Sequence, residues 1–166
     1  MIRITDLSKS FGGRPILDGL SLTLPDRGIV ALRGPSGCGK TTLFRLIAGL
    51  EAPDAGRIEG VYGKRISIVF QEDRLLPWRT ARENIALVSP DRGDIDPLLE
   101  SLGLAGEGDK LPHELSGGMR RRIAVGRALH HAGDLYLLDE PFGGLDPDTK
   151  ERIMAPFLEL GQEHLI

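Results

Sequence analysis

The stretch Arg33-Gly34-Pro35-Ser36-Gly37-Cys38-Gly39-Lys40-Thr41-Thr42 constrains this chain more than any other. It follows an apolar run, Ile29-Val30-Ala31-Leu32, that reads as a buried strand, and precedes Leu43-Phe44-Arg45-Leu46-Ile47-Ala48, which reads as a helix. A glycine loop between strand and helix is a phosphate cradle. Gly34, Gly37 and Gly39 are expected to let the backbone take positive φ and approach a ligand, so that several N–H groups point into one concavity. The helix N-terminus adds partial positive charge, Lys40 adds a full one for β- and γ-phosphates, and the Thr41 hydroxyl is placed to ligate Mg²⁺.

A chain of 166 residues is long enough to bury about two thirds of its unfolded surface in one domain. Its net charge of −3 argues against a general nucleic-acid binder, which would carry an excess of Lys and Arg. The single cysteine, Cys38, has no partner for an internal disulfide and suits a reducing compartment, so the expected location is the cytosol. No apolar run approaches the roughly 18 residues that span a bilayer, and the N-terminus lacks the apolar core of a signal peptide. A membrane role has to come through a partner.

Ile2-Arg3-Ile4 alternates like an edge strand and Leu20-Ser21-Leu22-Thr23-Leu24 alternates more strictly. The turn between them carries Phe11, which either stacks on a base or plugs a small β layer. Beyond the turn formers of 49–56, Arg57-Ile58-Glu59 and Ile66-Ser67-Ile68-Val69-Phe70 read as strands. Gln71 follows the second directly, at the carboxyl end where α/β sheets bind ligands. Its amide either reaches a metal or an attacking water, or bonds loop backbone.

From Thr80 to His131 the pattern is helical, with no strand. Thr80 and Glu83 form a capping box before Asn84-Ile85-Ala86-Leu87-Val88, and Asp96-Pro97 opens a helix that Gly103 ends. The preceding linker, Leu75-Leu76-Pro77-Trp78-Arg79, is core or, more in keeping with exposed apolar groups, a docking surface. Leu115-Ser116-Gly117-Gly118-Met119 begins a third helix, with Ser116 as N-cap and glycines that leave the first N–H groups uncovered, a second anion site. Glycines there weaken the helix by roughly 0.5–1 kcal/mol each, so structure alone explains them poorly. Arg120, Arg121, Arg122 and Arg127 read mainly as a solvated face.

Leu135-Tyr136-Leu137-Leu138 suits a strand covered on both faces, and it delivers Asp139 and Glu140 to its carboxyl end. The first carboxylate can hold Mg²⁺ through water. The second can polarise a water for attack on a γ-phosphate. Asp146 and Pro147 then cap and open a helix.

Phosphate loop, Gln71, Leu115 to Met119, Leu135 to Glu140 and Gly144-Leu145-Asp146, in that order, resemble the nucleotide-binding subunit of an ATP-binding cassette (ABC) transporter over essentially the whole chain. The resemblance implies an α/β P-loop NTPase with a RecA-like core and parallel sheet, an N-terminal antiparallel β layer and a helical subdomain at about residues 79–133. It implies ATP and Mg²⁺ as cofactors, with Phe11 on adenine, residues Gly34 to Thr42 on phosphate, Thr41, Gln71 and Asp139 at the metal, and Glu140 as general base assisted by Lys40 and Gln71. Ser116, Gly117 and Gly118 would serve ATP bound by an opposite subunit in a head-to-tail dimer. A groove near Leu75 to Asn84 would receive a membrane permease, with a solute-binding protein further out. The string Gln71 to Trp78, Arg82-Glu83-Asn84 and Met119 are similar to ATPases of nitrate, sulfonate and taurine importers, peripheral on the cytoplasmic membrane face.

Three features depart from that pattern. Met119 stands where Gln is commonest, which leaves Ser116 and Gly118 intact. Pro156 falls inside the last helix and is expected to kink or break it. Family members also continue into a strand that ends in a switch histidine; Leu165-Ile166 reads as its start, and His164, His113, His130 and His131 do not fill the role. A slowly hydrolysing nucleotide-binding module and an apolar sheet edge are the expected consequences. A soluble ABC ATPase acting on DNA or ribosomes is the other alternative, disfavoured because the chain has neither two cassettes nor long insertions.

Overall fold

A computed structural model describes all residues, 1–166. Strand β1 (Ile2–Phe11) turns back through Gly12-Gly13 into β2 (Arg14–Leu24), with Phe11 paired to Arg14 across the turn. Helix α1 (Lys40–Ile47) follows, and β3 (Ala55–Glu59) then pairs antiparallel on the other edge of β1. The order β2-β1-β3 makes β1 the central strand of this layer, not an edge. The short Ile2-Arg3-Ile4 alternation does not reveal this central position, because β3 lies about fifty residues downstream; Ile2, Ile4 and Leu7 are covered by α1 and β5.

Strand β4 (Ile66–Val69) pairs in parallel with β5 (Leu135–Leu138), in register from Ile66 with Leu135 to Val69 with Leu138. Between them run α2 (Ala81–Ala86), α3 (Asp96–Ser101), a short 3₁₀ turn at Pro112–Glu114, and α4 (Gly117–His131), with no strand. Helix α5 (Pro147–Leu160) closes the order. Strand β5 is covered on both faces: Leu135 and Leu137 pack with Leu43, Leu46 and Ile47 of α1 and with β1, while Tyr136 packs with Ile123, Ile153 and Phe157 of α4 and α5. Burial on both faces requires an apolar strand without alternation. The helical stretch shares this second core through Ile85, Leu99 and Leu102.

Local signals hold where the chemistry is local. Thr80 Oγ1 accepts from the Glu83 N–H and the Glu83 carboxylate accepts from the Thr80 N–H, and Asp146 caps α5 by accepting from the Thr149 N–H. Two further expectations fail. Residues 29–32 do not form a strand, and Ile29 is 52% exposed. Parallel pairing starts here, with Gly28 and Val30 bonded to His164 and Ile166, and Leu165 bridging both Gly28 and Leu135. It runs no further than Val30, and an apolar cavity of about 230 Å³ lies between Val30, Leu32, Leu137, Leu138 and Ile166. Nor does Pro156 break α5, which runs through it to Leu160. Ile153 and Phe157, one on each side of it, are 0% and 2% exposed and anchor the helix to the core despite the lost N–H.

Candidate nucleotide site

The phosphate loop is shaped by two residues that only glycine satisfies. Gly37 and Gly39 have φ of 79° and 98°, and a Cβ on Gly39 would lie 2.9 Å from Leu17 Cδ2. Gly34 differs from expectation: its φ is not positive, and it is small because a Cβ would lie 2.7 Å from Cys38 Sγ. Gly39 is the N-cap of α1, no side chain caps this start, and its first turn holds no acid. The uncapped N–H groups and the helix dipole make an anion seat. The Lys40 ammonium donates to the Gly34 and Pro35 carbonyls at 2.9 Å each, so it stands over the loop that holds the seat.

The carboxyl end of β5 meets this seat. The Thr41 hydroxyl donates to Asp139 Oδ2 at 2.6 Å, across 98 residues of sequence. Asp139 is 8% exposed and its N–H extends the ladder to the Val69 carbonyl, which fixes its carboxylate under the loop. Glu140 takes the left-handed region, φ 49°, and points its exposed carboxylate to Gln71, whose Nε2 lies 3.5 Å from Oε2. Such backbone strain at a non-glycine residue persists only where the surroundings impose it. One cavity of about 300 Å³ is lined by Phe11, Ser36, Gly37, Gly39, Lys40, Thr41, Thr42, Gln71, Asp139 and Glu140, with Ile16, which the sequence did not single out. Phe11 is 44% exposed at the hairpin tip on its rim, so of its two readings the plug is excluded.

Ser116, Gly117 and Gly118 are not in this cavity. Ser116 caps α4 by accepting from the Met119 N–H at 3.2 Å, Ser116 and Gly117 are exposed, and no acid occupies the first turn of α4. The start of α4 is thus open to solvent and outside the cavity of its own chain, which leaves it a candidate second anion seat. Met119 is partly buried against the core, a packing role that its apolar side chain fills.

The sequence profile described as "ABC transporter" matches residues 17–143. This chain belongs to the ABC transporter family. It is 43% identical over 161 residues to an aliphatic sulfonates import ATP-binding protein of Pseudomonas syringae pv. syringae, covering 95% of this chain and 68% of that protein. A protein of the same name from Paraburkholderia xenovorans is 43% identical, with 98% and 66% covered. Among solved structures, the dimeric bacterial ABC cassette MJ0796 superposes with a TM-score of 0.85 at 27% identity, over 99% of this chain and 86% of that one. A post-hydrolysis state of that cassette bound to ADP and Pi gives 0.86 at 26%.

In this ABC cassette the arginine run is not a solvated face. Arg120 donates to the Leu115 carbonyl, Arg122 to the carbonyls of Leu102 and Gly103, and Arg127 to those of Asp73 and Arg74. Arg121 is 5% exposed. Backbone carbonyls, most of them from distant segments, replace water around what the sequence shows only as a run of like charge. Arg127 loses its proton more readily than an ordinary guanidinium because burial strips its hydration, a shift that Asp73 opposes. Trp78 is 70% exposed, whereas Leu75 of the same linker packs against the core.

Proposed function

We propose that this chain is the ATP-hydrolysing, energy-coupling subunit of an importer, working as half of a nucleotide sandwich. The observation that carries the reading is the convergence of Lys40, Thr41, Gln71, Asp139 and Glu140 on one cavity from three separate segments. Lys40 exchanges its loop carbonyls for phosphate oxygens. Phe11 covers the base. The oxygens of Thr41 and Asp139 fit Mg²⁺: they are hard donors, they share one locus, and no cluster of three or more His, Cys, Asp or Glu forms an all-protein cage. Such a site suits an ion that keeps water and phosphate among its ligands. When bound, Mg²⁺ neutralises charge on the β- and γ-phosphates.

Glu140 takes a proton from the attacking water, and the Gln71 amide, in reach of the same carboxylate, holds that water in line. Ser116 to Gly118 serve the γ-phosphate held by a partner, either a second copy or a related ATPase subunit, which accounts for their distance from the chain's own cavity. No helix here is long and apolar enough to cross a membrane, so coupling runs through a permease, docked near Trp78 on the cytoplasmic face, and a solute-binding protein supplies the cargo. The names of the relatives make a sulfonate-type solute the leading candidate, with nitrate and taurine as the related possibilities.

A second reading, a nucleotide-binding module of low turnover, is favoured by the Gln71 amide and the Glu140 carboxylate meeting only at 3.5 Å. One assay separates the two. Glu140→Gln should bind MgATP like the parent but hydrolyse it roughly 10²–10⁴-fold more slowly, the usual contribution of a general base; equal, negligible rates for both chains favour the second reading. Co-purification with a multi-spanning protein tests the coupling role.

A further inference from the structure

Arg121 is a planar fork held between two loops. Its Nη1 donates to the Phe70 carbonyl at 2.6 Å, to the Gln71 carbonyl at 3.3 Å and to Asp73 Oδ1 at 3.4 Å. Its Nη2 donates to the carbonyls of Asp139, at 3.0 Å, and Glu140, while Nε donates to that of Pro141 at 3.0 Å. One buried side chain therefore holds the backbone of Gln71, on one side, and of Asp139, Glu140 and Pro141 on the other. Both Gln71 and Glu140 have exposed side chains that meet only at 3.5 Å, so their mutual position is not set by their own packing. Glu140 also sits in the left-handed region, which a non-glycine residue holds only under constraint.

We propose that Arg121 is the positioning residue that sets Gln71 against Glu140, and that it ties this pair to the helix whose start is the second anion seat. The proposal rests on the reading that Gln71 and Glu140 act on the attacking water. Arg121 touches none of the reacting atoms; it acts through two backbone segments. Lysine cannot substitute, because one ammonium does not span both loops as a guanidinium does. Arg121 lies four residues beyond the first residue of α4, so a shift of that helix start carries the fork with it. Occupancy of the Ser116 end by a partner's nucleotide is thereby linked to the geometry of the chain's own hydrolytic pair.

Arg121→Gln and Arg121→Lys, compared with the parent, test this through three readouts: MgATP affinity, kcat, and amide hydrogen exchange over 70–74 and 139–143. The expected result for Arg121→Gln is affinity within about twofold, kcat lower on the order of 10–100-fold, as for a misplacement near 1 Å, and faster exchange in both segments together. Arg121→Lys should keep the charge, fold if the glutamine variant does not, and still show slow turnover and faster exchange. Unchanged exchange in either segment, full kcat in the lysine variant, or a kcat loss matched by an equal loss of affinity overturns the proposal. Should parent and Glu140→Gln prove equally slow, the hydrolytic reading fails by itself. The paired exchange result then decides whether Arg121 holds the two loops.

Discussion

Four of the five helix starts of this chain fall into two kinds; the fifth, α3, has an acid, Asp96, but no side-chain cap. Helices α2 and α5 begin with a side-chain cap and an acid in the first turn, Thr80 with Glu83 and Asp146 with Asp148. Helices α1 and α4 begin with glycine at or next to the cap and carry no acid in the first turn. A carboxylate at a helix start neutralises the dipole from within and stabilises the helix. Leaving it out forfeits that gain and keeps the seat open for an anion from outside. The same choice appears at two starts remote from each other, and only α1 faces the chemistry of its own chain. That asymmetry is what a site completed by a second chain requires.

Substitutions should separate the two kinds, and then the two members of the open kind. The largest effect belongs to Gly39→Ala, which forces a side chain into φ 98° with its Cβ 2.9 Å from Leu17 Cδ2. It should cost about 1–2 kcal/mol of stability and abolish MgATP binding by a single chain, read by calorimetry and denaturant titration. Ser116→Ala should cost about 1 kcal/mol through the lost cap, yet leave single-chain MgATP affinity unchanged. A loss of that affinity would place Ser116 in the chain's own site and break the asymmetry. Gly117→Ala has the opposite sign. Its Cβ would meet nothing nearer than Arg120 Nη2 at 3.8 Å, so stability should rise by about 0.5–1 kcal/mol while hydrolysis by the paired chains falls. A stabilised variant with full activity would make the glycine incidental.

The smallest effect is with pH. A hydrogen bond from the Thr80 N–H holds the Glu83 carboxyl below its ordinary value of 4.5, and hydrogen bonds from the Thr149 hydroxyl and then its N–H hold that of Asp146 below 3.8. Each carboxyl therefore binds its proton more weakly folded than unfolded. Their contribution is complete above those ordinary values and is lost as pH falls through the lower, folded ones. The stability gaps between the parent and Glu83→Gln or Asp146→Asn should close in acid, whereas that for Gly117→Ala should not change.

How much of this was legible in the sequence follows the range of the interactions. Caps at Thr80, Ser116 and Asp146, the phosphate loop and the apolar β5 with its two acids are written within a few residues, and the structure has them. The pairing of Thr41 with Asp139 was legible only as two halves of one chemistry. Arg121 was misread because its partners lie up to 51 residues away, and a run of three arginines looks solvated until those carbonyls are in place. Residues 29–32 differ for a related reason: the run pairs with His164 and Ile166 at the far end of the sequence, a contact that no local pattern carries. The placement of Ser116 outside the cavity was legible only through the resemblance to the family, since no local pattern carries it.

The central claim is that this chain holds half of a composite ATP site. Light scattering of Glu140→Gln, in which hydrolysis is blocked, tests it most directly. The account predicts that the mass doubles on addition of MgATP, and that Ser116→Glu, added to the same variant, prevents the doubling by placing a carboxylate where a γ-phosphate should sit. A single-chain mass at saturating MgATP, or a doubling that ignores the Ser116 change, would contradict it.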